Sequence, residues 1–166
     1  MIVVVMGVTG CGKSTVGAAL ADRLAWPFLD ADDFHPSVNV QKMAAGIPLA
    51  DDDRWPWLDG LAVEMRAILA RGGHAVLACS ALKARYRERL ARAGDVRFVH
   101  LLGDHDTIAS RLATRSHRYM PPTLLKSQFA TLEAPTDAVA IPIDMAVEEQ
   151  IERIIGMLQL QPTASR

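Results

Sequence analysis

The sequence is poor in the residues that hold small secreted domains and metal centres together. It has two cysteines and five histidines among 166 residues, and no group of them has the spacing of zinc ligands. Cys11 lies in a glycine-rich segment and Cys79 at the end of a predicted buried strand, so we expect free thiols rather than a disulfide. No serine, histidine and aspartate indicate a hydrolase triad. These absences argue against a disulfide scaffold, a structural zinc site and triad-based hydrolysis.

Long apolar runs are also missing. No stretch approaches the roughly 18 apolar residues that span a membrane. Strand-like residues begin at position 2, so we expect no signal peptide. The formal net charge is −1, which favours neither nucleic acid nor an anionic membrane surface as a partner. We therefore expect a cytoplasmic protein that binds neither.

Short apolar runs alternate with longer helical patterns along the chain. The predicted strands are residues 2–6, 27–29, 75–79, 96–102 and 139–143. Their continuous apolar character is typical of strands that are covered on both faces, as in a parallel sheet. Apolar stripes with helical spacing lie between them, and we expect Ser80 and Asp144 to cap two of these helices. The sequence predicts one α/β doubly wound domain over residues 1–160, followed by a frayed tail at 161–166.

The most informative motif directly follows the first strand. Residues 7–14 read Gly-Val-Thr-Gly-Cys-Gly-Lys-Ser, which is G-x-x-x-x-G-K-S/T between a strand and a helix. Such a loop turns backbone N–H groups toward phosphate oxygens, and several of its positions need conformations that a Cβ would forbid. Lys13 adds a charge at the outer phosphates, Ser14 a hydroxyl for Mg²⁺, and the next helix its positive N-terminus. We predict a nucleoside triphosphate site formed by Gly7, Val8, Thr9, Gly10, Cys11, Gly12, Lys13, Ser14 and Thr15.

Three acids follow the second predicted strand. Asp30 lies at the carboxyl edge of the sheet, which the phosphate loop also leaves, and Asp32 and Asp33 come directly after it. Alternate side chains of an extended segment point in different directions. Asp30 can therefore face Mg²⁺ while Asp32 faces an incoming hydroxyl and orients or deprotonates it. The alternative is a polar turn in which one acid, Asp33 above all, caps the helix after Pro36.

Two cations stand at predicted helix N-termini, where the helix dipole disfavours them. Arg54 follows three aspartates at 51–53, and Lys83 follows Cys-Ser-Ala-Leu at 79–82. Together they can grip one carboxylate of an acceptor. In the alternative, Arg54 pairs with the neighbouring acids and only holds the helix start in place. The basic residues that continue this run we interpret mainly as a solvated helix face: Arg85, Arg87, Arg89 and Arg92.

A polar segment, residues 114–122, fits neither a helix nor a strand. Arg111 and Arg115 lie one helical turn apart, which is repulsive unless an anion comes near, and Arg118 follows. A mobile loop that brings arginines onto a nucleotide stabilises the transition state and excludes water. We therefore expect a mobile lid at 114–122. Arg111 and Arg115 are assigned to the nucleotide, and Arg118 to catalysis.

Several strings of the sequence together resemble bacterial-type gluconokinases. They are residues 7–14, Asp-Ala-Asp-Asp-Phe-His-Pro at 30–36, Lys-Met at 42–43, Gly-Ile-Pro-Leu at 46–49, Asp-Asp-Asp-Arg at 51–54, Pro-Trp-Leu at 56–58, Cys-Ser-Ala-Leu-Lys at 79–83, Ser-Gln-Phe at 127–129 and Leu-Glu-Ala-Pro at 132–135. The phosphate loop alone is unspecific, whereas the strings at 30–36 and 79–83 together are specific. The resemblance runs from residue 2 to about residue 158. It departs at Cys11, where a small serine is expected, and at the bulky Trp55.

The resemblance implies ATP-dependent phosphorylation of D-gluconate at its 6-hydroxyl, with Mg²⁺. It also implies a three-layer P-loop kinase fold like that of shikimate and nucleoside monophosphate kinases, with strand order 2-3-1-4-5, and commonly a homodimer. The acceptor-binding region would span residues 31–58. A small polyol acid needs a cationic grip on its carboxylate, which Arg54 and Lys83 fit. It also needs polar groups along its hydroxyls, which Asp32, Asp33 and His35 offer.

Three other functions remain open from the sequence. One is a shikimate-type kinase, whose acceptor is also a hydroxylated carboxylate. A more distant one is a nucleoside monophosphate kinase. The third is a regulatory nucleotide switch. The chain has a single asparagine, Asn39, so the Asn-Lys-x-Asp guanine signature is absent, which argues against a GTP switch.

Overall fold

A five-stranded parallel sheet forms the middle of the protein. The computed structural model describes residues 1–113 and 123–163. The strands are Ile2–Met6 (β1), Phe28–Asp30 (β2), Ala75–Ala78 (β3), Val96–Leu102 (β4) and Val139–Pro142 (β5). Every neighbouring pair is parallel and the order is β2-β3-β1-β4-β5. The predicted α/β class, the five parallel strands and their order are confirmed.

Helices cover both faces of the sheet and give the three layers expected. They are Lys13–Leu24 (α1), Ser37–Ala44 (α2), Asp51–Ala70 (α3), Ala84–Ala91 (α4), His105–Ala113 (α5), Thr123–Thr131 (α6) and Val147–Leu158 (α7), with a 3₁₀ turn at Ala31–Phe34. Within the described ranges, no helix combines the length and the apolarity needed to cross a bilayer. The predicted lid at 114–122 lies outside the described residues. In the predicted tail, the N–H of Thr163 donates to the carbonyl of Leu24 at 2.9 Å.

Two hydrophobic cores lie on opposite sides of β1, whose five residues are all fully buried. Val3 and Val5 pack into one core with residues of α1 such as Leu20. Ile2 and its alternate neighbours face the other core with Met65 and other residues of α3. Since successive side chains of a strand point to opposite faces, burial on both sides requires an unbroken apolar run. The unbroken apolar run at residues 2–6 therefore predicted this strand correctly.

Two predicted helix caps are wrong. Asp144 is not the cap of α7; its N-cap is Ala146, whose N–H donates to the carboxylate of Glu149 at 3.3 Å. Ser80 is not the cap of α4, because Lys83 holds that position. The free N–H of Ala84 donates instead to the Glu133 carboxylate at 2.7 Å. Both helices thus begin later than predicted, and Lys83 precedes the first turn rather than lying in it.

The basic stretch on α4 is only partly a solvated face. Arg87 is 8% exposed and donates to the carbonyls of Ala81 and Leu82 at 3.1 and 3.2 Å. Arg89 makes a two-pronged contact with Asp59 at 2.6 and 2.7 Å. Ala81 has a φ of 43°, a left-handed conformation that costs a non-glycine residue free energy. Arg87 therefore fixes the loop that leads from β3 to Lys83, and its interpretation as a solvated residue is wrong.

Candidate active site

The predicted phosphate loop connects β1 to α1. Gly10 and Gly12 have φ values of 77° and 101°, in the left-handed region that favours glycine. A Cβ at Gly10 would lie 2.7 Å from a side-chain carbon of Leu112 in α5, whereas Gly12 has open space there. The ammonium of Lys13 donates to the Val8 carbonyl of its own loop at 2.9 Å. The loop therefore has the cradle shape that phosphate binding needs, with its lysine resting on a loop carbonyl.

The side chain of Cys11 points away from this cradle. It is 1% exposed and belongs to the core that α1 covers. The Cys79 thiol is also buried and unpaired, and burial raises its pKa to about 12. The Cys79 thiol is therefore not an activated nucleophile.

Ser14 and Asp30 form an oxygen pair beside the loop. The Ser14 hydroxyl donates to Asp30 Oδ2 at 2.7 Å, and the N–H of Asp32 donates to Asp30 Oδ1 at 3.1 Å. The Asp30 carboxylate is thus held from both sides and caps the 3₁₀ turn. Hydroxyl and carboxylate oxygens are the ligands that Mg²⁺ takes beside substrate phosphates. The donor set and the glycine cradle next to it therefore fit a magnesium nucleotide.

Asp32 projects from the 3₁₀ turn into the same cleft. Its side chain is 82% exposed, yet it is partly enclosed by the concave walls. This partial loss of water, followed by the negative charges of Asp30 and Asp33, raises the pKa of Asp32, while Lys13 acts in the opposite sense. A carboxylate with a raised pKa is a better proton acceptor. Asp33 is exposed and does not cap α2, whose N-cap is Pro36.

His35 lies against Trp57 at the wall of the cleft. The two rings stack with centroids 4.1 Å apart, and Trp57 Nε1 donates to the carbonyl of Ala31 at 2.7 Å. The His35 side chain is 4% exposed, and its Nε2 is 3.8 Å from Asp32 Oδ1. Burial, followed by the charge of Arg54, lowers the pKa of His35 to about 4. The imidazole is therefore neutral at pH 7, and its Nδ1 has no hydrogen-bond partner among the residues the structure describes.

A group of cations surrounds one carboxylate at the start of α3. This Asp51 cluster consists of Asp51, Arg54, Lys83, Arg85 and Tyr86. Lys83 Nζ is 3.1 Å from Asp51 Oδ1, Arg85 and the Tyr86 hydroxyl also contact Asp51, and an Arg54 nitrogen is 4.0 Å away. The hydrogen bond from Tyr86, then that from Lys83, holds the pKa of Asp51 below its usual range.

Arg54 has further partners within the protein. Its guanidinium donates to the carbonyl of Leu49 at 2.5 Å and to the Tyr86 hydroxyl at 3.2 Å. Burial, followed by the contact with Asp51, raises the pKa of Tyr86 to about 12. Arg54 and Lys83 thus both lie beside one carboxylate, but it is that of Asp51. Their contact with an acceptor carboxylate stays a prediction. The pairing expected as the alternative role of Arg54 is present in this structure.

Two adjoining cavities collect most of the predicted site residues. The main cleft, of about 350 Å³, is lined by residues that include Lys13, Ser14, Asp30, Asp32, His35 and Arg54. The second cavity, of about 240 Å³, is lined by Asp51 and Lys83, and it shares Arg54, Leu82 and Gln128 with the main cleft. The nucleotide residues and the cationic residues therefore lie along one continuous depression at the carboxyl edge of the sheet.

Of the three arginines predicted to act at the nucleotide, the structure describes one. Arg111 lies in α5 and donates to the carbonyl of Ile143 at 2.7 Å. Arg115 and Arg118 lie outside the described residues. The roles of all three at a nucleotide stay predictions.

Gln128 contacts the phosphate loop, although no role for it was predicted. In the structure this residue of α6 accepts a hydrogen bond at Oε1 from the N–H of Thr9 in the phosphate loop, at 2.6 Å. The only signal in the sequence is the Ser-Gln-Phe string at 127–129, which carries part of the family resemblance but indicates no chemistry.

Known proteins are similar to this chain in both sequence and structure. Residues 2–137 match a family model described as an AAA domain. A gluconokinase from Gluconobacter oxydans is 49% identical over 136 residues, which cover 81% of this chain and 76% of the relative. A probable gluconokinase from Xenopus tropicalis is 43% identical over 175 residues, which cover 94% and 92%. The crystal structure of a gluconokinase from Sinorhizobium meliloti 1021 superposes with a TM-score of 0.85 at 38% identity, covering 95% of this chain and 90% of that one. The chain therefore belongs to the gluconokinase family of P-loop kinases.

Proposed function

We propose that the protein transfers a phosphoryl group from ATP to the 6-hydroxyl of D-gluconate, with Mg²⁺ as cofactor. The observation that carries this proposal is a cleft in which a phosphate loop, an oxygen pair, an exposed carboxylate and an arginine meet. The two reacting molecules need these four features side by side. Membership in the gluconokinase family supports gluconate over shikimate as the acceptor.

The phosphate loop and its neighbours form the nucleotide half of the site. Loop N–H groups and the N-terminus of α1 would bind the phosphates. Lys13 would exchange the Val8 carbonyl for phosphate oxygens, which its flexible side chain allows. Ser14 and Asp30 would hold Mg²⁺, which supplies positive charge to the phosphates when bound.

Asp32 is the proposed base of the acceptor half. Its carboxylate projects into the cleft, and its raised pKa suits removal of the proton from the attacking 6-hydroxyl. The proton goes to a carboxylate oxygen of Asp32 as the hydroxyl oxygen attacks the γ-phosphorus of ATP. The bond from that phosphorus to the bridging oxygen breaks at the same time, and ADP leaves. His35 is neutral and lies beside Asp32. It can therefore bind an acceptor hydroxyl without adding a charge to the site.

The Asp51 cluster offers a place for the acceptor carboxylate. Arg54 lines both cavities and Lys83 lines the second, so the acceptor would extend from Asp32 toward these cations. Asp51 holds the same cations in this structure. An acceptor carboxylate would therefore take over hydrogen bonds that Asp51 now receives. Such an exchange costs less free energy than assembling cations that have no anionic partner, because Arg54 and Lys83 stay paired with a carboxylate throughout.

The remaining parts of the proposal concern the rest of the chain. The lid at 114–122 would close over the nucleotide, with Arg111 and Arg115 on its phosphates and Arg118 at the transferred group. Residues 1–160 would act as one kinase domain, with an acceptor-binding region at 31–58. We also propose a homodimer in the cytoplasm, without nucleic-acid or membrane partners. Light scattering after size-exclusion chromatography tests the dimer.

The release of ADP over a panel of acceptors tests the proposed reaction. The panel contains D-gluconate, shikimate, nucleoside monophosphates, and glucose as an acceptor that lacks the carboxylate. We expect release with gluconate alone, and release slower by about a hundredfold or more from Lys13→Ala, which is the control for contaminating kinases. Release with shikimate or a nucleotide instead would replace the proposed substrate. Release without any acceptor would indicate an ATPase or a nucleotide switch.

A further inference from the structure

Gln128 joins the phosphate loop to a helix that borders the acceptor side. Its Oε1 accepts the Thr9 N–H at 2.6 Å across 119 residues of sequence. Backbone N–H groups of such a loop are the donors that a nucleotide uses. The orientation of this part of the loop therefore depends on where α6 holds the Gln128 side chain.

The same residue reaches the acceptor side of the site. Gln128 lines the main cleft together with Lys13 and Asp32, and it lines the second cavity together with Arg54 and Lys83. Ser127 borders both cavities as well. A ligand that fills either cavity therefore lies against the side chain that holds Thr9.

The chain just after α6 is fixed beside Lys83. The Glu133 carboxylate accepts the N–H of Ala84 at 2.7 Å, and the N–H of Glu133 donates to the carbonyl of Leu82 at 2.8 Å. These contacts flank Lys83, the N-cap of α4. The segment from Gln128 to Glu133 thus spans from the phosphate loop to the position of Lys83.

We infer that Gln128 is a positioning residue that couples acceptor binding to nucleotide binding. Its hydrogen bond fixes the part of the phosphate loop around Thr9 to the wall of the acceptor cavity. Binding on one side sets the position of α6, and the hydrogen bond to Thr9 transmits that position to the other side. The inference rests on the proposed function, because it takes ATP and gluconate as the two ligands. By linkage, the coupling acts equally in both directions.

Calorimetric titration measures this coupling without turnover. A non-hydrolysable ATP analogue with Mg²⁺ is titrated into the protein with and without saturating gluconate. The ratio of the two dissociation constants is the coupling factor. Gln128→Met keeps the length of the side chain but removes the acceptor oxygen, and Gln128→Asn keeps the amide but shortens its reach. Lys126→Ala, an exposed position on the same helix, is the matched control.

We expect gluconate to tighten analogue binding equally in the wild type and in Lys126→Ala. The coupling factor of each Gln128 variant should be about fivefold smaller than that of the wild type, which is the order expected for the loss of one hydrogen bond between neutral groups. If Gln128 has only a structural role, its substitution will weaken the binding of both ligands and leave the coupling factor unchanged. That result overturns the inference. So does a wild type that releases ADP with gluconate but shows no coupling. A wild type inactive on gluconate would instead contradict the proposed function. A melting curve for each variant shows that it is folded, and Gln128→Asn alone carries the test if Gln128→Met does not fold.

Discussion

Lowering the pH from about 7.5 to about 5 should cost the protein about 2 kcal/mol of its free energy of unfolding through His35 alone. In the folded protein the pKa of His35 is about 4, against an ordinary value of 6.5, because its ring is buried and faces Arg54. Between these two values the unfolded chain binds a proton at His35 and the folded protein does not. Stability therefore rises with pH across this window. It is fully present above pH 6.5 and is lost progressively as the pH falls toward 4.

The magnitude follows from the width of that window. Each unit of difference in pKa is worth about 1.4 kcal/mol, so the full loss approaches about 3 kcal/mol near pH 4. About two thirds of it is reached at pH 5. The pKa values of carboxylates such as Asp51 and Asp53 are lowered in the folded protein. Their protonation therefore lowers the free energy of unfolding mainly below pH 5, outside the range of the experiment.

Urea unfolding at both pH values measures the effect. The control is His35→Phe, which keeps an aromatic ring against Trp57 but cannot be protonated. The change in unfolding free energy with pH is compared within each protein, so that packing differences cancel. The wild type should lose about 2 kcal/mol more than the variant. Equal losses in the two proteins would refute the buried, neutral state of His35. A ring that titrates near its ordinary pKa in the NMR spectrum of the folded protein would refute it as well.

Three further predictions concern the reaction itself. Lys13→Ala should lower kcat by roughly 10²–10³, the loss expected for one preorganised contact to charge in the transition state; an unchanged melting temperature shows that the fold is intact, and more than half of wild-type turnover would contradict the nucleotide site. Asp32→Asn should lower kcat with little change in ATP affinity, whereas Asp30→Asn should raise the Mg²⁺ concentration required; a Mg²⁺ titration of both variants decides, and reversed phenotypes would exchange their roles. Arg54→Lys and Lys83→Ala should each lower kcat/KM for gluconate about ten- to a hundredfold through KM, with the KM for ATP nearly unchanged. If Arg54 only holds the start of α3, its substitution will lower the melting temperature and leave the gluconate KM as it is.

The parts of the site that the sequence predicted are those set by short-range rules. The phosphate loop is a contiguous motif whose glycines are required by its own backbone. The proximity of Ser14 and Asp30 follows because parallel strands bring their carboxyl ends to one edge. An unbroken apolar run such as residues 2–6 admits few alternatives to a buried strand. In each case a contiguous sequence pattern or a general rule of parallel sheets carries the information.

The parts that the sequence did not predict depend on pairs far apart in the chain. The start of α4 moves past Ser80 because Glu133, 49 residues away from Ala84, supplies the acceptor for the first free N–H. Arg87 is buried because a loop with a left-handed Ala81 turns its carbonyls toward the guanidinium. Gln128 reaches Thr9 only once α6 is packed. Nothing local distinguishes such side chains from solvated ones, since the partner decides their environment.

The central place of β1 has a consequence for the synthesis of the chain. β1 pairs with β3 and β4, and both follow it in the sequence by about 70 residues or more. At the usual rates of translation, about 5–20 residues per second, this wholly apolar strand waits for several seconds before its first partner leaves the ribosome. Short apolar segments without Pro or charge tend to assemble with one another when they are exposed. Chains that are stalled before residue 75 should therefore aggregate on the ribosome unless a chaperone covers their first residues.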